Sequence, residues 1–103
     1  MARTFTHPSV RDITLDGILH ALQDPVRRAM VRKLRDSGCL SCSDTGCSSL
    51  SPSTLSFHIR VLRDAGIVKS EKKGVEVINT LRLTDVEKRF PGLLDNLLRH
   101  DKA

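Results

Sequence analysis

Three cysteines are the most reactive side chains of this sequence. Cys39, Cys42 and Cys47 lie in the segment CLSCSDTGC with the spacing C-x2-C-x4-C. Three thiolates suit a soft thiophilic ion such as arsenite, or cadmium or zinc with a fourth ligand. A close pair of thiols can instead be oxidised to a disulfide or polysulfide bridge, and free cysteines also pack as small apolar side chains. The spacing leaves all three interpretations open and leaves the identity of any metal unknown.

A second group of polar side chains lies in the segment LSPSTLSFHIRVLRDAGIV, residues 50–68. Ser51 and Pro52 form a typical helix start, with serine as N-cap and proline at the first helical position, and Gly66 predicts the end of the helix. The apolar residues at helical spacing are Leu55, Ile59 and Leu62. Small hydroxyl groups crowd the first turns, where they add little to a core. Such side chains let a helix approach DNA and donate to phosphate oxygens and base edges.

The elements around these two segments predict a mainly helical domain with one β-hairpin, an α+β fold. Residues 1–11 show no periodicity and predict a flexible N-terminal arm, whereas residues 12–102 predict a single domain. Apolar residues recur at the spacing of one helical face from Ile13 to Leu22. Residues 39–50 predict only a short or frayed helix, because their Asp, Thr and Gly residues are poor helix formers.

The other elements have their own start and stop signals. Asp24-Pro25 predicts the start of the second helix and Gly38 its end. The basic residues of that helix are predicted to face outward: Arg27, Arg28, Arg32, Lys33 and Arg35. The segment IVKSEKKGVEVINTLRL changes period and predicts two strands joined by a turn at Lys73-Gly74. TDVEKRF predicts a helix opened by a capping box from Thr84 to Glu87, and GLLDNLLRH predicts the last helix.

A capped basic helix followed directly by a basic hairpin is the plan of a winged helix-turn-helix module. The segments ILHALQDPVRRAMVRKL and LSPSTLSFHIRVLRDAGIV, with the hairpin, resemble the ArsR/SmtB family of bacterial winged-helix repressors over roughly residues 13–83. The resemblance implies a homodimer whose first and last helices form the interface. It also implies binding to a double-stranded DNA operator with two-fold symmetry, and repression until an effector releases the DNA. Family members carry thiol ligands near Cys42, although their usual Cys-x-Cys pair is absent here.

The predicted DNA contacts fall on the hydroxyl-rich helix and on the hairpin turn. They are Ser51, Ser53, Thr54, Ser56, Phe57, His58, Arg60 and Arg63 on the helix, and Lys72 and Lys73 on the turn. The first six lie where base edges and the nearest phosphates are expected, and the four basic residues suit phosphates. Phe57 stands where the family commonly has a polar residue, so it either contacts a thymine methyl group or packs inward. The alternative is that Ser51 only caps the helix and the others are solvated.

The bulk composition agrees with a DNA-binding protein. The 103 residues carry a net charge of +5, with an isoelectric point near 9.6, which favours a polyanionic partner. The chain has no Trp or Tyr and only three Phe, a thin core that association would help to stabilise. Two apolar stripes suit a partner surface: Leu15, Ile18, Leu19 and Leu22, and Leu93, Leu94, Leu97 and Leu98.

Other classes of protein fit the sequence less well. No order of catalytic residues and no glycine-rich phosphate loop is present, so we predict that the protein is not an enzyme. No apolar run is long enough to span a membrane and MARTFTHPSV lacks the apolar region of a signal peptide, which predicts a cytoplasmic protein. The alternative function is a winged-helix module that binds another protein and has purely structural cysteines.

Overall fold

The computed structural model describes residues 5–41 and 50–101, with residues 39–41 described by their backbone alone. The helices are a 3-10 turn at Val10–Asp12, then α1 (Leu15–Leu22), α2 (Pro25–Ser37), α3 (Pro52–Asp64), α4 (Leu83–Arg89) and α5 (Leu93–His100). The strands are β1 (Cys39–Ser41), β2 (Val68–Lys73) and β3 (Glu76–Leu81). The prediction of a mainly helical fold with a β-hairpin wing is confirmed. Within the described ranges, no helix is long and apolar enough to cross a membrane.

Helices α2 and α3 begin as their sequences predict. The Asp24 side chain accepts a hydrogen bond from the backbone N of Val26 at 2.7 Å, and Pro25 is the first helical residue. The Ser51 side chain accepts from the backbone N of Thr54 at 3.2 Å, and Pro52 follows it. These caps satisfy N–H groups that have no partner inside the helix.

The end of α3 depends on Gly66. This residue has φ +87°, a left-handed conformation that side chains rarely adopt. A Cβ atom at this position would lie 2.5 Å from Cγ1 of Ile13, which is buried. Both the backbone turn and the close approach of the chain before α1 therefore require glycine.

The core lies around α3. The predicted inward residues Leu55, Ile59 and Leu62 are all buried, as are Ile18 and Leu22 of α1 and Leu94 and Leu98 of α5. Leu15 and Leu19 of α1 remain 44% exposed, and Leu93 and Leu97 of α5 are half-buried. One half of each predicted apolar stripe thus packs inside this chain, and the other half is left at the surface.

The three strands form one antiparallel sheet in the order β1-β3-β2. In the hairpin, Val68 pairs with Leu81 and Lys73 with Glu76. Strand β1 pairs with the other edge of β3, with Cys39 opposite Thr80. The short or frayed helix predicted for residues 39–50 is therefore wrong at its start, where an extended backbone pairs with the free edge of β3. Gly38, with φ +87°, ends α2 just before this strand.

The part of the predicted N-terminal arm (residues 1–11) that the structure describes makes contacts with the sheet. Nε2 of His7 accepts a hydrogen bond from the backbone N of Ser70 at 3.0 Å. The carbonyl of Pro8 accepts from Nη1 of Arg82 at 2.8 Å. Residues 5–11 thus pack along the hairpin and the end of β3, whereas residues 1–4 lie outside the described part of the chain.

The capping box predicted at Thr84 and Glu87 does not form. Helix α4 starts two residues earlier than a Thr84 cap would place it, at Leu83, and its N-cap residue is Arg82, which has no side-chain capping bond. The Glu87 carboxylate accepts from the backbone N of Gly92 at 3.1 Å instead. Glu87 therefore stabilises the turn into α5 rather than the start of its own helix.

Candidate nucleic-acid interface

The first turns of α3 present their hydroxyl groups at the surface. Ser51, Ser53 and Ser56 are exposed, and Thr54 is half-buried. Oγ of Ser51 lies 2.9 Å from Oγ1 of Thr54 and 3.2 Å from Oγ of Ser53. Each hydroxyl group has two acceptor sites and one rotatable donor, so this small network retains capacity for further hydrogen bonds. The helix N-terminus also carries a partial positive charge, which favours phosphate oxygens.

Two larger side chains extend this surface along α3. Phe57 is 58% exposed, so of the two predicted positions it takes the outward one. Arg60 is also exposed, and its Nε lies 3.9 Å from Oδ2 of Asp64. An exposed ion pair at this distance is weak. The Arg60 guanidinium can therefore exchange Asp64 for a phosphate group at little cost.

His58 is the first predicted DNA contact that the structure places elsewhere. The residue is only 8% exposed, and its Nδ1 lies 3.1 Å from Nη1 of Arg27, which is itself buried. The sequence contains a signal for this position, because His58 shares a helical face with Leu55 and Leu62. The expectation that His58 lies on the outer surface with the serines is corrected accordingly.

Arg63, another predicted DNA contact, has partners within the protein, and its predicted contact with DNA stays a prediction. Its Nη1 donates to Oγ of Ser70 at 3.2 Å, and its guanidinium carbon lies 4.6 Å from the centre of the Phe5 ring. Oγ of Ser70 in turn donates to Oδ1 of Asn79 at 2.7 Å. Arg63 thus joins α3 to the hairpin and to the N-terminal segment, and its half-buried side chain is already engaged within the protein.

The turn of the hairpin carries the predicted basic pair. Lys72 and Lys73 are exposed, and Gly74 has φ +64° at the turn between the strands. Val75 follows it and is 96% exposed, although the strand pattern predicts that it shares a face with Val77. Val75 belongs to the turn and not to β3, because Lys73 pairs with Glu76, so the alternation of the strand does not apply to it. The wing tip therefore presents two ammonium groups and one free apolar side chain.

Comparisons with known proteins agree with this arrangement. A family model described as a helix-turn-helix domain matches residues 22–71. The chain is 35% identical over 83 residues to the uncharacterised HTH-type transcriptional regulator YceK of Bacillus subtilis. The aligned part covers 78% of this chain and 82% of that protein. It is 36% identical over 81 residues to the HTH-type transcriptional repressor SmtB of Mycobacterium tuberculosis, covering 76% of this chain and 59% of that protein.

Two solved structures have the same fold. A crystal structure of an ArsR family transcriptional regulator superposes with a TM-score of 0.64 at 26% identity, over 85% of this chain and 98% of the other. A second, of a possible transcriptional regulator for arsenical resistance, gives 0.62 at 28% identity, over 87% and 100%. The chain belongs to the ArsR/SmtB family. It is therefore a DNA-binding transcriptional regulator rather than an enzyme.

The cysteines of this ArsR/SmtB regulator fall at the edge of the described structure. The backbone of Cys39 lies in β1, whereas Cys42 and Cys47 lie outside the described residues. The C-x2-C spacing would place Cys39 and Cys42 on one face if the segment were helical, but the backbone of Cys39 lies in a strand. Among the described residues, no group of three or more His, Cys, Asp or Glu side chains is placed to hold a metal ion.

A carboxylate near the end of α5 binds two arginines of α2. Oδ2 of Asp101 accepts a hydrogen bond from Arg32, and Nε of Arg28 lies 3.1 Å from Oδ1. Burial acts to raise the pKa of Asp101, but the hydrogen bonds and charges of Arg32 and Arg28 outweigh it and hold the pKa below its usual value. This pairing fixes α5 beside α2 and next to α1, where the exposed leucines lie.

Proposed function

We propose that this protein is a sequence-specific repressor that reads an operator with the first turns of α3. The observation that carries the proposal is the joint exposure of Ser53, Ser56 and Phe57 on that helix and of Lys72 and Lys73 on the wing. Hydroxyl groups and an aromatic ring suit base edges and thymine methyl groups, whereas ammonium groups suit phosphates. The division of these side chains between two elements matches the docking geometry of a winged helix.

We further propose that the active form is a homodimer on an operator with two-fold symmetry. An open groove runs between α1 and α5 and is lined by Leu19, Leu22, Leu97 and His100 among others. The neighbouring Leu15 is 44% exposed. Apolar side chains gathered on two adjacent terminal helices favour burial against a second copy. Two-fold symmetry of the dimer then requires half-sites about one helical turn apart, or a multiple of it.

The proposed effector acts on the thiols of Cys39, Cys42 and Cys47. It is an oxidant or reactive sulfur species, or a thiophilic metal ion bound by the same residues. A peroxide that joins two thiols as a disulfide accepts two electrons and two protons, and leaves as two water molecules or, for an organic peroxide, as one alcohol and one water. Strand β1, where Cys39 lies, pairs with β3, which in turn pairs with β2. A change at the cysteines can therefore reach the wing through one continuous sheet.

Selection from a random duplex library tests the proposed function. The bound sequences are recovered in reductant, then again with hydrogen peroxide or cadmium present. We expect one two-fold related motif in reductant and weaker recovery with an effector. Affinity for that motif must fall steeply with salt, because phosphate contacts release counterions. Recovery of no motif, or affinity that is independent of salt, would contradict the proposal and favour a protein-binding module.

A further inference from the structure

One buried guanidinium joins three elements of the domain. Arg27 of α2 is only 5% exposed, and its Nε donates to the carbonyl of Ala21 at 2.6 Å. Its Nη2 donates to the carbonyl of His20 at 3.4 Å, and its Nη1 lies 3.1 Å from Nδ1 of His58. Both carbonyls belong to the last turn of α1, whereas His58 belongs to α3. Oδ2 of Asp24, 3.9 Å from Nη1, supplies a nearby negative charge.

This contact determines which nitrogen of His58 carries the proton. A guanidinium group has only donors, so Nδ1 of His58 must accept. The neutral ring therefore carries its proton on Nε2, because a proton on Nδ1 would face the donor of Arg27. The charge of Arg27 is tolerated in this buried position because two carbonyls and the imidazole occupy its donors.

We propose that Arg27 is a positioning residue for DNA binding, and that His58 serves the bond to Arg27 rather than a contact with a base. His58 directly follows Ser56 and Phe57 on α3, so a bond that holds His58 also holds the exposed residues that precede it. The same guanidinium donates hydrogen bonds to the end of α1, one of the two helices of the proposed dimer interface. The angle of α3 relative to the partner subunit therefore depends on this side chain as well as on the core. This inference rests on the proposed reading of DNA by α3.

Two substitutions of His58 separate a positioning role from a base contact. In His58→Asn the amide oxygen stands close to the place of Nδ1 and can accept from Arg27, but nothing replaces Nε2. In His58→Gln the amide stands close to the place of Nε2, and no acceptor remains at the place of Nδ1. The probe is a duplex selected by the native protein, compared with a scrambled duplex of equal length and composition. We expect His58→Asn to retain affinity within about threefold and His58→Gln to lose about tenfold.

The reverse order, with His58→Gln retaining affinity and His58→Asn losing it, would show that Nε2 contacts a base and would overturn the inference. Equal affinities of both variants and the native protein would overturn it as well, because neither nitrogen would then matter. If the native protein itself does not prefer the selected duplex over the scrambled one, the proposed function is contradicted, whatever the variants do. The two failures are therefore distinguishable in one set of titrations.

Substitution of Arg27 supplies the second test. Arg27→Gln is expected to lower affinity for the selected duplex about tenfold and to leave the slope of affinity against salt unchanged, because a buried arginine releases no counterion. Combination with His58→Ala should add no further loss, since both changes remove the same bond. Arg35→Gln is the matched control: it removes the same charge from the same helix, where Arg35 pairs with Asp36 and Asp95.

Three results would contradict the positioning role of Arg27: unchanged affinity, a salt slope reduced by about one, or fully additive losses in the double variant. A slope reduced by one would identify a direct phosphate contact instead. Circular dichroism and thermal melting establish that each variant folds. If Arg27→Gln does not fold, Arg27→Lys takes its place, because one ammonium group keeps the charge but cannot reproduce the planar fork of the guanidinium.

Discussion

Nε2 of His7 accepts a hydrogen bond from the backbone N–H of Ser70, over a distance of 3.0 Å. Only the neutral imidazole can accept at this nitrogen. Burial lowers the pKa of His7 from its ordinary value of 6.5, and the charges of Arg82, Arg63 and Lys69 lower it further, against a smaller opposing effect of Glu71. The bond attaches the N-terminal segment to the first half of the wing.

This bond predicts a loss of stability in mild acid. Since the folded pKa lies below the unfolded one, the contribution of His7 is complete above pH 6.5 and is lost as pH falls from there toward the folded pKa. His7→Gln keeps an acceptor near the position of Nε2 but does not titrate. Urea unfolding at a series of pH values should show a steeper decline for the native protein than for His7→Gln. Parallel curves for the two proteins would contradict the prediction.

Substitution of Gly66 should destabilise the fold strongly. In Gly66→Ala the new Cβ meets Ile13 in addition to the unfavourable φ of +87°, and we expect a loss of about 2–3 kcal/mol in the free energy of unfolding. Gly38→Ala is the control, because it has the same φ of +87° but no described atom within 4 Å of the added Cβ. It should cost about 1 kcal/mol. Denaturant unfolding measures both, and equal losses would mean that the contact with Ile13 is unimportant.

Substitutions on α3 and on the wing should affect DNA affinity in different ways. Ser56→Ala is expected to weaken binding to a selected duplex by about tenfold with little effect on a scrambled one, because it removes a sequence-dependent contact. Lys72→Ala and Lys73→Ala should weaken both duplexes alike and lower the salt slope by about one each. Fluorescence anisotropy over a salt series distinguishes these outcomes. A uniform loss for all three variants would show that α3 does not read sequence.

The proposed dimer interface predicts different effects for two equally exposed leucines. Leu19, on α1, is 44% exposed and Leu83, on α4, is 43% exposed. Leu19→Glu places a charge in the groove beside α5 and should shift the protein toward monomers by at least tenfold in the dissociation constant. Leu83→Glu should leave the dimer intact. Sedimentation velocity at micromolar concentration decides, and a monomeric native protein would contradict the dimer outright.

If the cysteines bind the effector, DNA affinity should respond to oxidants or thiophilic metal ions, and substitution by serine should remove this response. Peroxide or cadmium should lower the affinity of the native protein for the selected duplex by about tenfold, a typical allosteric coupling. Cys42→Ser should bind DNA like the native protein in reductant and should no longer respond, because serine has a similar size but lacks the thiolate. Cys39→Ser should behave likewise if Cys39, on β1, is the residue that forms the disulfide or shares the metal ion with Cys42. Release of DNA from Cys42→Ser under the same treatment would place the sensor elsewhere.

The sequence alone determined the elements whose causes are local. The starts of α2 and α3 follow from Asp24-Pro25 and Ser51-Pro52, because a cap and a following proline act within one helical turn. The inward face of α3 follows from apolar spacing, and the hairpin from the change of period. The family followed as well, because its motifs coincide with these local signals.

Only the tertiary structure decided the contacts between distant parts of the chain. The pairing of Cys39 with Thr80, the bond between Arg27 and His58 across 31 positions and that between His7 and Ser70 across 63 join elements with no mutual signal in sequence. A hydrophobic pattern predicts that a charged residue lies at the surface, yet Arg27 is buried because its donors meet the carbonyls of His20 and Ala21 and the ring of His58. Its position depends on where the helices meet, which local propensity does not specify.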